Sequence, residues 1–559
     1  MYNKKATIKL FLLASAFFIL SFGVQVKAVN LGESVSFNID DKFDSSTRSQ
    51  IQAVLVLTKS NLHFYIDKNW WDLQVTDKKN EVLAKLDILS LEFDSKIYPG
   101  LTSVYGSEWR PGVDGDNKIT ILFHSMKDGT GGYFRSADEY IKLQVPDSNE
   151  KEMLYLPIGE IDNTQLKVFL AHELVHLITF NQKDHIWGVQ EEVWLNEARA
   201  DFASTILGYD NSYENSNLQR RVKDFLQSPG DSLTEWQDTK YDYAVVNLFV
   251  HYLVDHYDVT ILSDSLRSKL VGIDSINESL LKQGAEENFS QIFTNWTIAM
   301  VINDCSLDLK YCYLNQNLKD LRINPTLNFL PVSGSSSLSV TNLTKNWSGN
   351  WQKIIGGNGD LALKFRSLQN LNFKVPYIVF SKDNSYSLKF LELNKNEEGQ
   401  IELKNFGNSY SSLTIIPSLQ TKTSGFDSLE FTYPYTFTVS VTSAVPQEDE
   451  ILIQKLLAQI DSLKEQIADI LAKNNSDVTC PSLEINLYLG VKNINQVKCL
   501  QQFLKARGSE IYPEGFVTGF FGNLTKSAVA RFQTKYQIPS TGFVGILTRA
   551  KINQILSSI

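Results

Sequence analysis

Two histidines four residues apart enclose a glutamate in the run His172-Glu173-Leu174-Val175-His176. Residues four apart share one helical face, so both imidazoles can reach a single ion. Glu173 is displaced about 100° around the helix from His172, near enough to hold a water at that ion without ligating it. Glu197 follows His176 by twenty-one residues, within Trp194-Leu195-Asn196-Glu197-Ala198-Arg199-Ala200-Asp201. A catalytic zinc takes three protein ligands and keeps a fourth position for water. His172, His176 and Glu197 are therefore the candidate metal ligands, Zn2+ the candidate cofactor and Glu173 the candidate catalytic base. Asp201, one turn past Glu197, is spaced to accept the second N–H of a ligand histidine. This chemistry is hydrolytic: Glu173 would take a proton from an activated water and return it to a leaving amine.

An oxyanion donor is also needed. Tyr241 and Tyr243 begin the helical pattern that runs to Tyr257, and being two apart they face different ways, so at most one serves. His251 and His256 lie among Leu, Val and Tyr on that pattern and read as structural. His185 falls in the polar stretch between the metal-site helices, where substrate contact and solvation stand equal. Asp114, Asp116 and Asn117 make an acidic turn before a strand. Their two or three oxygens fall short of the six to eight that calcium takes, so a plain hairpin turn is expected.

These residues need a scaffold, and at 559 residues the chain has room for about three or four domains. A hydrophobic fraction of 43% permits large cores, and a net charge of −10 with no basic run excludes nucleic acid as a partner. Lys4, Lys5 and Lys9 precede the apolar stretch Leu10 to Phe22 and the small-residue site Val26-Lys27-Ala28, so residues 1–28 read as an export signal, with a retained anchor the alternative. Cys305 with Cys312, and Cys480 with Cys499, are close pairs expected to form disulfides in an exported protein.

Residues 33–315 mix strands (Ala53 to Leu57, His63 to Ile66, Lys118 to Phe123) with helices (Thr164 to Phe180, Tyr241 to Tyr257), an α+β arrangement. Residues 325–445 alternate in short stretches such as Leu361 to Phe365, Tyr377 to Phe380, Ser412 to Ile416 and Thr436 to Val441, as an antiparallel β-sandwich does. Over 447–473, Ile453, Leu456, Ile460, Leu463, Ile467 and Ile470 form an a/d seam, a coiled-coil linker open to self-association or a helix packed on a neighbour. Residues 478–559 form a separate unit in which Thr518-Gly519-Phe520-Phe521-Gly522 recurs as Thr541-Gly542-Phe543-Val544-Gly545. From Cys480 onward there are nine Lys or Arg against three Glu and no Asp, a basic module on an acidic chain.

His-Glu-x-x-His followed by Asn-Glu-x-x-x-Asp resembles the gluzincin arrangement of thermolysin-like peptidases. The Trp-Leu-Asn-Glu form, with Asp114-Gly115-Asp116 and Gly132-Tyr133-Phe134 upstream, is most similar to the hyicolysin-like metallopeptidases over about Phe37 to Tyr257. The resemblance implies a zincin-like domain, zinc on His172, His176 and Glu197, Glu173 as base and Asp201 behind the ligands. One departure is Ala198-Arg199, where that family often carries a small Gly-containing pair. Gln496 to Gln554 resembles the three-helix peptidoglycan-binding domain of cell-wall hydrolases, with Val497, Leu500, Phe503, Leu504, Ala528, Val529 and Phe532 facing its core and Asn523 replacing a usual proline. The function so implied is a secreted zinc endopeptidase acting on protein or peptide and held to peptidoglycan by residues 478–559. Its rivals are an inactive wall-associated adhesin or scaffold, and an enzyme that cuts peptidoglycan stem peptides.

Overall fold

The computed structural model describes residues 30–426, 430–442, 454–460, 462, 463, 466, 480, 482–491 and 493–558. The export signal over 1–28 lies outside these residues, as does most of the 447–473 pattern. Residues 454–460 of that pattern are helical, with Leu456, Leu457 and Ile460 exposed. Among the described residues no helix is long and apolar enough to cross a membrane. The chain divides into two compact units, 1–445 and 446–559.

The first unit opens on a six-stranded sheet in the order β1-β2-β3-β4-β6-β5. Its strands are β1 (Ser34–Asn38), β2 (Gln50–Thr58), β3 (Leu62–Asp67), β4 (Ile119–His124), β5 (Tyr133–Phe134) and β6 (Met153–Pro157). β3, β4 and β6 run parallel, while β1, β2 and β5 pair antiparallel with their neighbours. Every residue of β4 and β6 is buried. That is why these strands read as continuous apolar runs: side chains leave a strand alternately on two faces, and both faces are covered. Ile121, Phe123, Leu154 and Leu156 enter the main helical core, and Leu122, Met153 and Tyr155 a smaller core on the other face.

Three helices matter for the site: a histidine helix (Leu166–Thr179), a glutamate helix (Val193–Ile206) and a tyrosine helix (Lys240–Tyr257). The histidine helix is buried nearly all round, so its apolar residues do not fall into one narrow stripe. It packs against β6 and the glutamate helix and continues into a π-helical turn, Phe180–His185. The tyrosine helix starts at a capping box, in which the Thr239 hydroxyl and the Asp242 carboxylate satisfy each other's backbone N–H groups.

Strands β7 (Thr326–Leu330) through β17 (Tyr433–Thr442) follow the last long helix, Phe289–Ile302. An antiparallel β-sandwich was expected; nine of these eleven strands instead form one mixed, nearly closed barrel-like sheet, while β11 (Phe373–Lys374) and β16 (Ser418–Leu419) pair separately. β14 (Glu398–Phe406) and β15 (Tyr410–Ile415) join its halves through one pair, Phe406 with Tyr410. The alternating pattern predicts one buried face per strand, and it cannot distinguish two sheets facing each other from one sheet closing on itself. Leu361, Leu363, Phe365, Leu413, Ile415, Phe437 and Val439 fill the interior. Trp347 and Trp351 leave this region to join the helical core, where the Trp351 indole N–H donates to Thr297 O at 2.8 Å.

In the second unit, helices Ile494–Lys505, Asn523–Lys535 and Ile546–Leu556 surround a core that holds Val497, Leu500, Phe503, Leu504, Ala528, Val529 and Phe532, as expected. The sequence echo has a physical basis that its turns alone do not reveal. Buried Gln501 donates to Phe520 O and Thr525 Oγ1, both at 2.9 Å, and accepts from the Thr518 and Gly519 N–H groups, both at 2.8 Å. Gln533 repeats the pattern with Phe543 O at 2.8 Å, Thr548 Oγ1 at 2.9 Å and the Gly542 N–H at 2.8 Å. Gly519 and Gly542 have φ of 77° and 67°, a left-handed backbone that glycine adopts without steric cost. Both expected disulfides, Cys305–Cys312 and Cys480–Cys499, are present.

Candidate metal centre

The histidine and glutamate helices lie side by side, and this packing closes the twenty-residue gap between the two motifs. His172 Nε2 lies 3.1 Å from His176 Nε2 and 3.2 Å from Glu197 Oε2, and His176 Nε2 lies 3.6 Å from Glu197 Oε1. One ligand atom from each residue falls within 4.8 Å of the others, and among the described residues no other His, Cys, Asp or Glu group of three does so. Two imidazoles and a carboxylate converging from two helices are the donor set zinc takes, so the residues fit the ion that the sequence pattern implies.

Glu173 projects beside these atoms and is 5% exposed. Burial raises its carboxyl above the usual range, against the lowering influence of His172 and His176. Burial alone would lower His176, but the charge and hydrogen bonding of Glu197 hold it up to about 9. Burial would likewise raise Glu197, yet His176 and His172 keep it well below the ordinary carboxylate range. Gly132, just before edge strand β5, presses on Glu173: a Cβ there would stand 3.0 Å from Glu173 Cγ and 2.8 Å from Tyr155 O.

Asp201 is close to the site but its carboxylate is taken by other partners. It accepts from Arg221 Nη2 at 2.6 Å and Nε at 3.0 Å, and from Asn247 Nδ2 at 2.8 Å. The expected hydrogen bond from a ligand histidine is therefore not the one it makes. A guanidinium supplies parallel donors matched to a carboxylate, and it outcompetes a single imidazole N–H. Asn196 also faces His176 and adds a smaller raising effect to that of Glu197, although His176 Nδ1 and Asn196 Oδ1 are both buried without a closed hydrogen bond. Sequence reasoning gave Asn196 no role, although it stands directly before a candidate ligand.

Of the two tyrosines, Tyr243 is the one at the site. Its ring lies 6.4 Å from the His172 ring, packs edge-on against Trp236 at 4.8 Å and is capped by Arg221 at 4.7 Å. Burial, and then the charge of Glu197, push its hydroxyl far above the usual range, so it stays a proton donor. Tyr241 sits at the helix start beneath Lys240.

The other histidines are accounted for by packing. His251 is buried, falls to about 4 by desolvation and meets Thr205 Oγ1 at 3.2 Å, while His256 meets Cys312 O at 3.0 Å. His185 stacks on Trp109 at 4.1 Å. Arg199, the departure from the family pattern, is fully buried and points into an ionic cluster. It pairs with Glu191 at 2.7 Å, and Lys183 lies 3.5 Å from the same carboxylate. The acidic segment is not the expected hairpin turn but part of the loop between the helix Tyr98–Tyr105 and β4: Asp114 pairs with Lys151 at 2.7 Å and Asp116 with His63 at 3.0 Å.

Residues 493–552 match the peptidoglycan binding domain family. The C-terminal module is a peptidoglycan-binding domain. No curated protein matches the chain. Among solved structures, the Yersinia pseudotuberculosis-derived mitogen shares 10% identity over 21% of this chain and 92% of its own, at a TM-score of 0.15. Aeromonas hydrophila PliG, a periplasmic inhibitor of g-type lysozyme, shares 11% over 21% of this chain and 100% of its own, at a TM-score of 0.14. Likenesses this low carry no argument about the remaining residues.

Proposed function

We propose that this chain is a secreted zinc-dependent endopeptidase of the hyicolysin-like gluzincin type, held at the cell wall by its C-terminal domain. The observation that carries the reading is the convergence of His172, His176 and Glu197 within 4.8 Å, beside a buried glutamate whose carboxyl is raised. His172, His176 and Glu197 would hold the metal, which when bound supplies Lewis acidity to a water and to a peptide carbonyl. Glu173 takes the proton of the attacking water, and its raised pKa lets it deliver that proton to the leaving amine. Tyr243, whose O–H donates to Asp238 Oδ1 at 3.2 Å in this structure, would turn from Asp238 to donate to the oxygen on which negative charge develops. Asn196 orients His176 by accepting its Nδ1–H after a small closure. Arg221 and Asn247 fix Asp201 and so anchor the glutamate helix against its neighbours.

An adhesin or scaffold without activity has no need of a buried proton acceptor beside three converging donors. A peptidase cutting peptidoglycan stem peptides shares every residue named and is favoured by the wall-binding domain. Cleavage of casein and of purified wall, each with and without a zinc chelator, tests the proposal and separates the substrates. Cleavage of neither substrate by zinc-loaded protein would refute both enzyme readings.

A further inference from the structure

The segment that leads into the tyrosine helix is fastened to the barrel-like sheet. It follows the helix Asn217–Phe225 and ends at the cap residue Thr239. Its partner is the connection between β8 (Ser336–Thr344) and β9 (Gln352–Gly356). Ser232 forms an antiparallel bridge with Ser348, its hydroxyl donates to Asn346 O at 2.8 Å, and the Leu233 N–H donates to Trp347 O at 2.9 Å. Glu235 completes the attachment. Its Oε2 pairs with Lys345 Nζ, and its Oε1 accepts from the Glu430 N–H, just ahead of β17, at 3.1 Å. Ser232, Leu233, Thr234 and Glu235 are all 2% exposed or less.

The residues that follow turn to the metal centre. Trp236 packs edge-on against the Tyr243 ring at 4.8 Å, and Asp238 Oδ1 accepts from the Tyr243 hydroxyl at 3.2 Å. Asp238 has a φ of 57°, a left-handed backbone that costs a residue with a side chain free energy and persists where its surroundings hold it. Arg221, on the face of the same ring, is fixed by Asp201 within the helices. Trp236 and Asp238 take their places from the segment that carries them, and Glu235 stands one and three residues before them. A donor to a developing negative charge acts only within hydrogen-bond reach, and a misplacement of about 1 Å can cost about 10²-fold in rate.

We infer that Glu235 is a positioning residue, through which the barrel sets the orientation of Tyr243 at the candidate metal centre. The effect on rate rests on the endopeptidase reading, whereas the effect on the Tyr243 ring does not. The barrel thereby takes part in the site although none of the proposed ligands, the base or the oxyanion donor lies on it.

In the zinc-loaded full chain, 3-fluorotyrosine at position 243 should give one sharp fluorine resonance, and Glu235→Ala should shift or broaden it. Lys345 is partly exposed and can turn to water in that variant. Glu235→Ala should also lower kcat by about tenfold, with KM within about twofold and zinc content unchanged. Lys345→Met should move both readouts the same way, and Lys345→Arg, which keeps the ion pair, should recover most of the loss. In a Tyr243→Phe background Glu235→Ala should change kcat by less than about twofold, because the hydroxyl through which it acts is gone. If Glu235→Ala does not fold, Lys345→Met is read in the same assays. An unmoved resonance overturns the inference, and so does a kcat loss as large in the Tyr243→Phe background as in the parent. A chain that cleaves neither casein nor wall refutes the endopeptidase reading, and the resonance then decides by itself whether the barrel holds Tyr243.

Discussion

The candidate metal centre and the C-terminal domain use polar groups in opposite ways. Around His172 and His176 the chain buries charge: Glu173, Asp201 and Arg221 are all nearly hidden, and the Asp201 carboxylate is held by Arg221 and Asn247 from other helices. In the C-terminal domain the buried polar groups are neutral, Gln501 and Gln533, and they serve to shape turns. Those turns expose what the metal centre hides, with Phe520 63% and Phe543 41% exposed. Chemistry on a substrate needs charge in a place water does not screen, whereas adhesion to a polymer needs aromatic surface that water reaches first.

The sharpest way to break this contrast is at the ligands. His172→Ala, His176→Ala or Glu197→Ala should each lose zinc by elemental analysis and bring peptide cleavage to background, while wall binding is unchanged. Glu173→Gln should keep full zinc and lower cleavage by about 10²- to 10⁴-fold, since Gln holds the same shape but accepts no proton. Tyr243→Phe should lower kcat by about 10²-fold with KM little changed, and Tyr241→Phe should stay within about twofold. In the other region, Phe520→Ala with Phe543→Ala should weaken retention of residues 478–559 on insoluble peptidoglycan by about tenfold, at unchanged helicity and unchanged peptidase activity of the full chain. Retention that disappears entirely in high salt would mean that the basic surplus alone does the binding.

A smaller effect comes from Glu152, buried at the start of β6 outside both regions. Burial holds Glu152 up to about 7, with Asp114 raising it and the Val113 N–H and Lys151 opposing. A carboxyl raised in the folded state favours folding while protonated, so its contribution is present at pH 4 and is lost as pH climbs through about 7. Thermal melts should therefore fall between pH 5 and pH 8, and Glu152→Gln should flatten that slope.

Short-range patterns were the most legible part of the molecule. The His-Glu-x-x-His spacing, the Gly-aromatic echo and the core positions Val497 to Phe532 all lie within one or two turns or one repeat. Arg221 and Asn247 were invisible as partners of Asp201, because twenty and forty-six residues of chain carry no periodicity linking them. Asp114-Gly115-Asp116 drew attention as an acidic run, yet its carboxylates are taken up by Lys151 and His63 from distant segments. The barrel-like closure of β7 to β17 was hidden for another reason, since alternation records which face is buried and not which strand lies opposite.

The central claim rests on metal-dependent hydrolysis, and one assay addresses it directly: peptide cleavage before phenanthroline, in its presence, and after zinc is returned. The account predicts cleavage that stops with the chelator and returns in full at one zinc per chain. Cleavage that continues undiminished in the chelator, or a chain that binds one zinc and cuts nothing, would contradict it.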